Sequence, residues 1–228
     1  AGASRFNGER FESFAEADGL GSGRIESIAQ DRDGTLWFAT HSGVVRYDGK
    51  RFSPFQLETD RPVRVIFEDR AGSLWFGTDT GVIHLDGTSL TFLGTESGLA
   101  GSEIRSICAD GDGNLWFGTH AGASRYDGST FITLTESDGL AANGVVSMCL
   151  DKAGCLWFGT NSGATRYDGE TCTTFTTQDG LVSNGLRTVY ADSHGQLWLA
   201  TNGGTSRYDH AHFVPFTAQD GLTDNPIY

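Results

Sequence analysis

The stretch that decides the fold is DGDGNLWFGT, residues 110–119, because closely similar stretches recur along the chain. Each copy contains one tryptophan, and successive tryptophans are separated by 38, 41, 41 and 41 residues: Trp37, Trp75, Trp116, Trp157 and Trp198. Residues 106–146 align without a gap with residues 147–187 and are identical at 23 of 41 positions. The chain is therefore a tandem repeat of one unit of about 40 residues.

Each unit predicts four short β-strands. The first is an apolar segment such as residues 104–108, and Asp-x-x-Gly joins it to a second strand that contains the tryptophan. A third strand, such as residues 123–126, ends at Asp-Gly, a dipeptide that favours a two-residue hairpin turn. A fourth strand has the Phe-x-x-Phe pattern of residues 52–55. No segment shows helical periodicity over enough residues for a helix, which excludes parallel α/β folds.

The tryptophan strand predicts how the units pack. In Leu-Trp-Phe, both faces of the strand carry large apolar side chains, so each small sheet must be covered on both sides. Four-stranded sheets that cover one another around an axis form a β-propeller, and the repeat length is that of a propeller blade. We expect the tryptophans to be core residues, each contributing at most roughly 2–3 kcal/mol through burial.

The two ends of the chain are out of phase with the repeat. Residues 1–14 match only the third and fourth strands, whereas residues 225–228 match the beginning of a first strand. We therefore predict one propeller domain over residues 1–228, with residues 1–20 a partial repeat. The favoured form has five complete blades and an extra N-terminal hairpin; the alternatives are six blades or a fragment of a larger ring. The extra hairpin could cap an edge or pair with another molecule to form an oligomer.

Composition limits the partners. Of the 228 residues, 38% are hydrophobic and 11% aromatic, which is ample for a core. The formal charge of −13 disfavours nucleic acid and anionic membrane surfaces as partners. No run of 18 apolar residues occurs, and the first residues do not resemble a signal peptide. Four cysteines do not decide the redox compartment.

Two sets of residues suggest metal ligands. Asp31-x-Asp33 and Asp110-x-Asp112 resemble the start of a calcium loop, but the other repeats lack the second carboxylate and no glutamate follows at the required spacing. We expect the first aspartate to accept backbone N–H groups in a turn. His41 and His120 share a repeat position with other residues that suit turns: Asp79, Asn161 and Asn202. We predict neither a metal site nor a cofactor.

The predicted ligand-binding residues lie in the first strand, which borders the central channel of a propeller. One repeat position there holds Arg64, Arg105 and Arg187, while Glu26 and Val146 occupy it in the other units. Clustered guanidinium groups could bind a carboxylate or sulfate in a bidentate manner. The alternative is a hydrated rim with salt bridges. A second set of arginines recurs in nearly every unit and is expected to be structural: Arg46, Arg125, Arg166 and Arg207.

The composite motif resembles the two-component regulator propeller repeat. The motif is D-x-x-G-x-L-W-F-G-T followed by R-Y-D-G, as in residues 110–119 with 125–128 and residues 151–160 with 166–169. The Asp-Gly-Leu linkers at residues 138–140 and 179–181 are also similar to that family. The unit around Trp75 departs from the pattern, because it is three residues shorter and has residues 58–62 as its linker.

The resemblance implies a non-catalytic sensor region, extracellular or periplasmic, of a hybrid histidine kinase, often one concerned with polysaccharide use. The predicted function is accordingly ligand sensing or protein interaction, with an oligosaccharide or a protein as the ligand. No nucleophile elbow, phosphate loop or metal helix motif occurs, so no catalytic residue is assigned. Two alternatives are a polysaccharide lyase-like enzyme that uses an arginine-rich channel and a multivalent lectin with repeated sites between blades.

Overall fold

The computed structural model describes residues 2–57 and 61–222. Within these residues the chain forms five antiparallel four-stranded sheets and one two-stranded hairpin. The strands of each sheet follow one another in chain order, so every sheet is a simple meander. The predicted all-β propeller architecture of five blades and an extra N-terminal hairpin is confirmed. The predicted start of a further strand at residues 225–228 lies outside the described residues.

The strands have the following bounds. The hairpin consists of β1 (Ala3–Phe6) and β2 (Phe11–Phe14). Blade 1 consists of β3 (Ile25–Gln30), β4 (Leu36–Thr40), β5 (Gly43–Tyr47) and β6 (Phe52–Phe55). Blade 2 consists of β7 (Val63–Glu68), β8 (Leu74–Thr78), β9 (Val82–Asp86) and β10 (Ser89–Leu93). Blade 3 consists of β11 (Ser106–Ala109), β12 (Leu115–Thr119), β13 (Gly122–Tyr126) and β14 (Phe131–Leu134). Blade 4 consists of β15 (Val145–Leu150), β16 (Leu156–Thr160), β17 (Gly163–Tyr167) and β18 (Cys172–Phe175). Blade 5 consists of β19 (Leu186–Ala191), β20 (Leu197–Thr201), β21 (Gly204–Tyr208) and β22 (Phe213–Phe216).

The Asp-x-x-Gly turn fastens the first two strands of each blade to the core. In blade 4, one oxygen of Asp151 accepts the backbone N–H groups of Ala153 and Cys155, both at 2.9 Å. The other oxygen accepts the indole N–H of Trp157 at 2.9 Å. The corresponding indole bond is present in all five blades, at 2.7–3.1 Å. The prediction that this aspartate stabilises a turn is confirmed. The same aspartate also links the Asp-x-x-Gly turn to the tryptophan strand of its blade.

The prediction of two-residue Asp-Gly hairpins is wrong for blades 1, 3 and 4, three of the four blades that contain this dipeptide. Residues 48–51 of blade 1 form a four-residue loop, because Tyr47 pairs with Phe52. Asp48 is the reason, since its carboxylate accepts the N–H groups of Lys50 and Arg51 at 2.9 Å and closes a wider loop. Blades 3, 4 and 5 have the same loop. Only in blade 2, where Asp86 pairs with Ser89, do two residues join the strands.

The linkers before the blades are built around a buried leucine. In residues 136–140, a single 3₁₀ turn, Glu136–Asp138, ends at Gly139, whose φ of 105° requires the left-handed region that glycine tolerates. Leu140 then enters the core. Equivalent buried leucines precede blades 1, 3 and 5: Leu20, Leu99 and Leu181. The linker before blade 2 contains residues 58–60, which lie outside the described residues.

The chain divides into two compact units. The first contains residues 1–94 and 102–104, and the second contains residues 95–101 and the chain from residue 105 onward. In both units, the tryptophan of one blade packs against three apolar side chains of the next. Trp37 joins a cluster with Ile66, Leu74 and Phe76. In the second unit, Trp157 joins Val189, Leu197 and Leu199, and Trp116 packs in the same way against Met148, Leu156 and Phe158. The predicted core role of the tryptophans is confirmed for these interfaces.

Candidate functional site

The predicted binding residues occupy a backbone irregularity. In four blades, the pairing of the first strand with the second skips one residue near the start of the first strand. The skipped residues are Glu26, Arg64, Val146 and Arg187. In blade 3, Arg105 directly precedes β11 and donates its backbone N–H to Gly118 at 2.9 Å. A β-bulge redirects a side chain and is common beside binding sites. This repeat position is therefore a bulge in four blades, whereas in blade 3 it lies just before the first strand.

A second variable position lies at the same end of each blade. The start of the first strand pairs with the end of the second, as Ile25 does with Thr40. The next residue along the chain varies between blades: His41, Asp79, His120, Asn161 and Asn202. In blade 5 the two variable positions touch, because the Arg187 Nε donates to the Asn202 Oδ1 at 2.8 Å. The residue types at this position indicate only turn chemistry. The signal for a binding role is that the residue differs between otherwise similar repeats.

Charged groups near these positions form ion pairs in the first unit. The Arg64 Nε lies 3.8 Å from a carboxylate oxygen of Glu103, and the Arg24 Nε lies 3.4 Å from Glu26. Such partly exposed pairs contribute about 0–1 kcal/mol and are screened by salt. Asp79 also lies at this end of blade 2, and its buried Oδ1 has no hydrogen-bond partner among the described residues. Arginines, a histidine and carboxylates at this end of the blades suit a polar, anionic or zwitterionic ligand.

First strands of neighbouring blades are held side by side. The Ser27 hydroxyl accepts the N–H of Ile66 at 3.1 Å, and the Ser147 hydroxyl accepts the N–H of Val189 at 3.1 Å. Glu26 and Arg64 are therefore on adjacent strands of the first unit. In the second unit, β15 contacts both β11 and β19, so the Val146 position lies between those of Arg105 and Arg187. A ligand site formed by these four charged residues stays a prediction.

The other repeated arginine lies towards the opposite end of the blade, beside the tryptophan. The Arg46 guanidinium lies over the rings of Trp37, at 6.0 Å, and Phe55, at 5.6 Å. Arg207 repeats this arrangement over Trp198 and Phe216. For Arg46 and Arg207, these contacts support the expected structural role, because an aromatic ring attracts a guanidinium that lies over its face.

Blade 2 replaces the repeated arginine with a histidine. His84 stacks on Trp75 with ring centroids 3.9 Å apart. Burial lowers the pKa of His84, although the nearby carboxylates of Asp69 and Asp86 oppose this effect. The substitution therefore keeps a planar group over the tryptophan. Unlike the charge of an arginine, the charge of His84 depends on pH.

Similar cavities form beside two of the aspartate turns. One, of about 350 Å³, is lined by Asp31, Trp37 and Arg46 in blade 1. Another, of about 240 Å³, is lined by the same repeat positions of blade 3, Asp110, Trp116 and Arg125, together with Tyr167 of blade 4. The Arg125 Nε lies 3.5 Å from Asp110. In the blade 3 cavity, the arginine is therefore paired with the aspartate of the same blade.

The cysteines are poor nucleophiles. Burial raises the pKa of Cys108 to about 11 and that of Cys149 to about 12, so both thiols are protonated at neutral pH. All four cysteines are free. Among residues 2–57 and 61–222, no group of three histidine, cysteine or carboxylate side chains is arranged to hold a metal ion.

The model of the two-component regulator propeller family matches five segments: residues 19–42, 58–80, 98–121, 139–162 and 180–203. Together these segments make up just over half of the chain, and each combines the linker, the first strand, the aspartate turn and the tryptophan strand. The chain belongs to the two-component regulator propeller family. In this family member, the bulge residues and the variable residues after the tryptophan strands all lie within the matched segments.

Solved structures show the same fold. The extracellular domain of the hybrid two-component system BT3049 from B. thetaiotaomicron aligns with a TM-score of 0.85 at 23% identity, covering 97% of this chain and 32% of that one. Virginiamycin B lyase from Staphylococcus aureus aligns with a TM-score of 0.80 at 16% identity, covering 96% of this chain and 78% of that one. PorZ from Porphyromonas gingivalis gives 0.76 at 15% identity, covering 99% and 39%.

The chain of this propeller family member spans about a third of the length of the BT3049 domain that it matches. No curated protein sequence gave a significant match. In the described part of the chain, no helix is long and apolar enough to cross a membrane.

Proposed function

We propose that this two-component regulator propeller is a non-catalytic ligand-sensing module that acts outside the cytoplasm. The observation that carries the proposal lies in the first strand, where the backbone is alike in four blades but one side chain differs. The backbone bulge recurs at one position, while its side chain changes among glutamate, arginine and valine. A constant backbone with changing side chains is expected where a scaffold serves recognition. Similarity to an extracellular domain of a hybrid two-component system supports the proposed location.

The proposed ligand is an anionic glycan fragment. Arg64, Arg105 and Arg187 supply planar cations that can bind carboxylate or sulfate through paired hydrogen bonds. The chain carries a formal charge of −13, so specific binding of an anion requires such a local cationic group. Asn202 accepts a hydrogen bond from the Arg187 Nε at 2.8 Å, which orients this guanidinium at the bulge position.

A thermal-shift screen of anionic and neutral oligosaccharides tests this function. A ligand at 100 times its Kd should stabilise the protein by about 2.7 kcal/mol, which is a clear shift of Tm. Arg187→Ala should reduce the shift given by an active anionic glycan. Arg51→Ala is the matched control, because Arg51 is an exposed arginine in the loop of residues 48–51, away from the bulge positions. If no oligosaccharide shifts the Tm, or both variants respond like the parent protein, the glycan-sensing proposal fails.

A multivalent lectin is the second candidate, and the two similar cavities beside the aspartate turns support it. Titration calorimetry separates the two candidates by stoichiometry. A sensor site at the bulge positions should bind one ligand per chain, whereas a lectin with repeated sites should bind several. Turnover of any glycan in the same samples would instead favour the lyase-like alternative, to which the virginiamycin B lyase similarity lends only its fold.

A further inference from the structure

A cationic side chain bridges the aspartate turns of blades 1 and 2. It belongs to Arg32, the second residue of the Asp-x-x-Gly turn in blade 1. The Arg32 Nε donates to a carboxylate oxygen of Glu68 at 3.0 Å. Its Nη2 donates to the backbone carbonyl groups of Asp69 and Arg70 at 3.2 and 3.0 Å. A methyl group on Gly72, the turn glycine of blade 2, would lie only 2.6 Å from the Arg32 Cζ. The chain itself therefore fills the cleft between these two turns.

Blades 4 and 5 are bridged in the same way. The second turn residue of blade 4 is Lys152, and its Nζ donates to the backbone carbonyl group of Ser193 in the turn of blade 5. A methyl group on Gly195, the turn glycine of blade 5, would lie 2.7 Å from the Lys152 Cδ. Arg32 and Lys152 both carry a positive charge with several N–H donors on a flexible stem. The repeat thus shows which chemistry fills a cleft of this kind, namely an alkyl cation.

The cleft between blades 3 and 4 differs, because the second turn residue of blade 3 is Gly111 and has no side chain to place there. A cavity of about 240 Å³ lies in this cleft, lined in part by Gly111 and by Gly154, the turn glycine of blade 4. In contrast to Gly72 and Gly195, a methyl group on Gly154 would meet no atom beyond its chain neighbours within 4 Å. We call this cavity the blade 3–4 cleft. A cavity of about 150 Å³ holds a benzene ring, so the cleft has room for the end of an alkyl cation.

The charged groups of the blade 3–4 cleft favour a cation. Its lining contains the carboxylates of Asp110, Asp112 and Asp168 and the guanidinium of Arg125. The Arg125 Nε lies 3.5 Å from Asp110, so these two charges offset each other. Hydrogen bonds from Thr171 and its neighbour lower the pKa of Asp168 to about 2, which keeps this carboxylate ionised at neutral pH. Asp112 and Asp168 therefore leave the cleft with negative charge, in a chain whose formal charge is −13.

We propose that the blade 3–4 cleft binds an alkylammonium or alkylguanidinium group, carried by a small amine or by a lysine or arginine side chain of a partner. Its N–H groups donate to the Asp112 and Asp168 carboxylates, and its stem lies over Gly154. The backbone carbonyl group of Lys152 corresponds to that of Ser193 in the next cleft and supplies a further acceptor. This site goes beyond the proposed function, because it lies at the aspartate-turn end of the blades and the bulge positions lie at the other end.

Two cationic probes test the proposal by nuclear magnetic resonance of the isotope-labelled full chain at neutral pH. Butylammonium represents a small amine, and the peptide acetyl-Gly-Lys-Gly-amide represents a partner side chain. Binding in the cleft should shift the backbone amide resonances of Gly111, Gly154 and Gly169 saturably, with a Kd below about 10 mM. Butanol has nearly the same shape without the charge and should bind at least about 10-fold more weakly. The cation that binds more tightly identifies the source.

Three protein variants locate the site. Gly111→Lys gives blade 3 the side chain that blade 4 carries at this position. Gly111 is not among the glycines with positive φ, and a methyl group there would meet nothing within 4 Å, so the substitution fits without strain. It should weaken butylammonium binding at least about 10-fold, because the chain then supplies its own cation. Asp112→Asn removes an exposed carboxylate and should weaken binding about 3- to 10-fold. Asp33→Asn is the matched control at the same repeat position of blade 1, where Arg32 already fills the cleft.

Several results would overturn the proposal. One is the absence of saturable shifts at the three glycines with either cation, and another is butanol that binds as tightly as butylammonium. Unchanged binding to Gly111→Lys, or equal losses in Asp112→Asn and Asp33→Asn, would place the cation elsewhere. Glycan binding at the bulge positions is measured separately in the thermal-shift screen, so failure of the proposed function and failure of this site are distinguishable.

Discussion

Blades 1 and 2 present the same kind of apolar face to very different surroundings. Ile66, Leu74 and Phe76 are buried under Trp37, whereas the equivalent Ile28 of blade 1 is mostly exposed beside a hairpin that lacks a tryptophan strand. The local sequence and strand pairing of the two blades are alike. The difference teaches that a blade face gains its stabilisation from the neighbouring sheet rather than from its own residues. Five predictions break or sharpen this comparison.

The largest effect is expected where a tryptophan is fully covered. Trp157→Ala should lower the free energy of unfolding by about 3–5 kcal/mol, because it opens a cavity among Val189, Leu197 and Leu199. Trp198→Ala is the matched control: Trp198 makes the same aspartate bond but is only partly buried. Urea denaturation measures both. Equal losses would show that the indole hydrogen bond, rather than burial, stabilises the blades.

Ile66 and Ile28 occupy the same repeat position, so substituting each of them compares the two faces directly. Ile66→Ala should destabilise the protein by about 2–5 kcal/mol, as is usual for buried aliphatic side chains. Ile28→Ala should cost less than about 1 kcal/mol, because little of the Ile28 side chain leaves water on folding. The two thermal or urea transitions are compared under identical conditions. A similar cost at both positions would mean that Ile28 is covered in solution.

The aspartate turn of blade 1 is tested with its two acidic residues. Asp31→Ala should cost about 1–3 kcal/mol, since the indole N–H of Trp37 and the N–H of Thr35 lose their acceptor. Asp33→Ala alters an exposed carboxylate of the same turn and should change stability by less than about 0.5 kcal/mol. Calcium should not shift the Tm of the parent protein. A calcium shift abolished by Asp33→Ala would restore the metal-loop interpretation.

A pH dependence is expected at the histidine that replaces arginine in blade 2. Because burial lowers the pKa of His84, the unfolded chain binds its proton more readily, with a pKa near 6.5. The contribution of neutral His84 is therefore complete above about pH 6.5 and decreases as the pH falls through the lower, folded-state pKa. His84→Arg should remove this part of the acid destabilisation. The check is Tm between pH 5 and 7.5, compared with the parent protein; parallel curves would refute it.

The smallest effect concerns a strained loop in blade 5. His210 has a φ of 74° at the position where the loops of blades 1, 3 and 4 have glycine, and it is the only non-glycine residue with positive φ among the described residues. His210→Gly should therefore relieve strain and stabilise the protein by about 0.5–1 kcal/mol. His212→Gly alters a neighbouring histidine of the same loop without that benefit. If His210→Gly lowers the Tm, the contact of His210 with the Tyr208 ring outweighs the strain.

The candidate site was only partly predictable. The repeat alignment identified Glu26, Arg64 and Arg187 as one position, because periodicity is visible in sequence. It did not show that this position is a bulge or that Asn202 binds Arg187, since both depend on strand pairing. It also favoured two-residue Asp-Gly turns, which the side-chain bonds of aspartate widen in most blades. Side-chain acceptors compete with intrinsic turn preferences, and their effect depends on the exact loop geometry.

The sequence by itself determined the five repeats, the four strands in each, the aspartate turn and the all-β class, because each follows from local patterns that recur with a fixed period. Only the tertiary structure decided which apolar faces are covered. Ile66 and Ile28 occupy the same repeat position, yet Ile66 is 5% exposed and Ile28 is 54% exposed, because only Ile66 packs against the tryptophan of a preceding blade. This difference in burial is visible only once the sheets have been placed side by side.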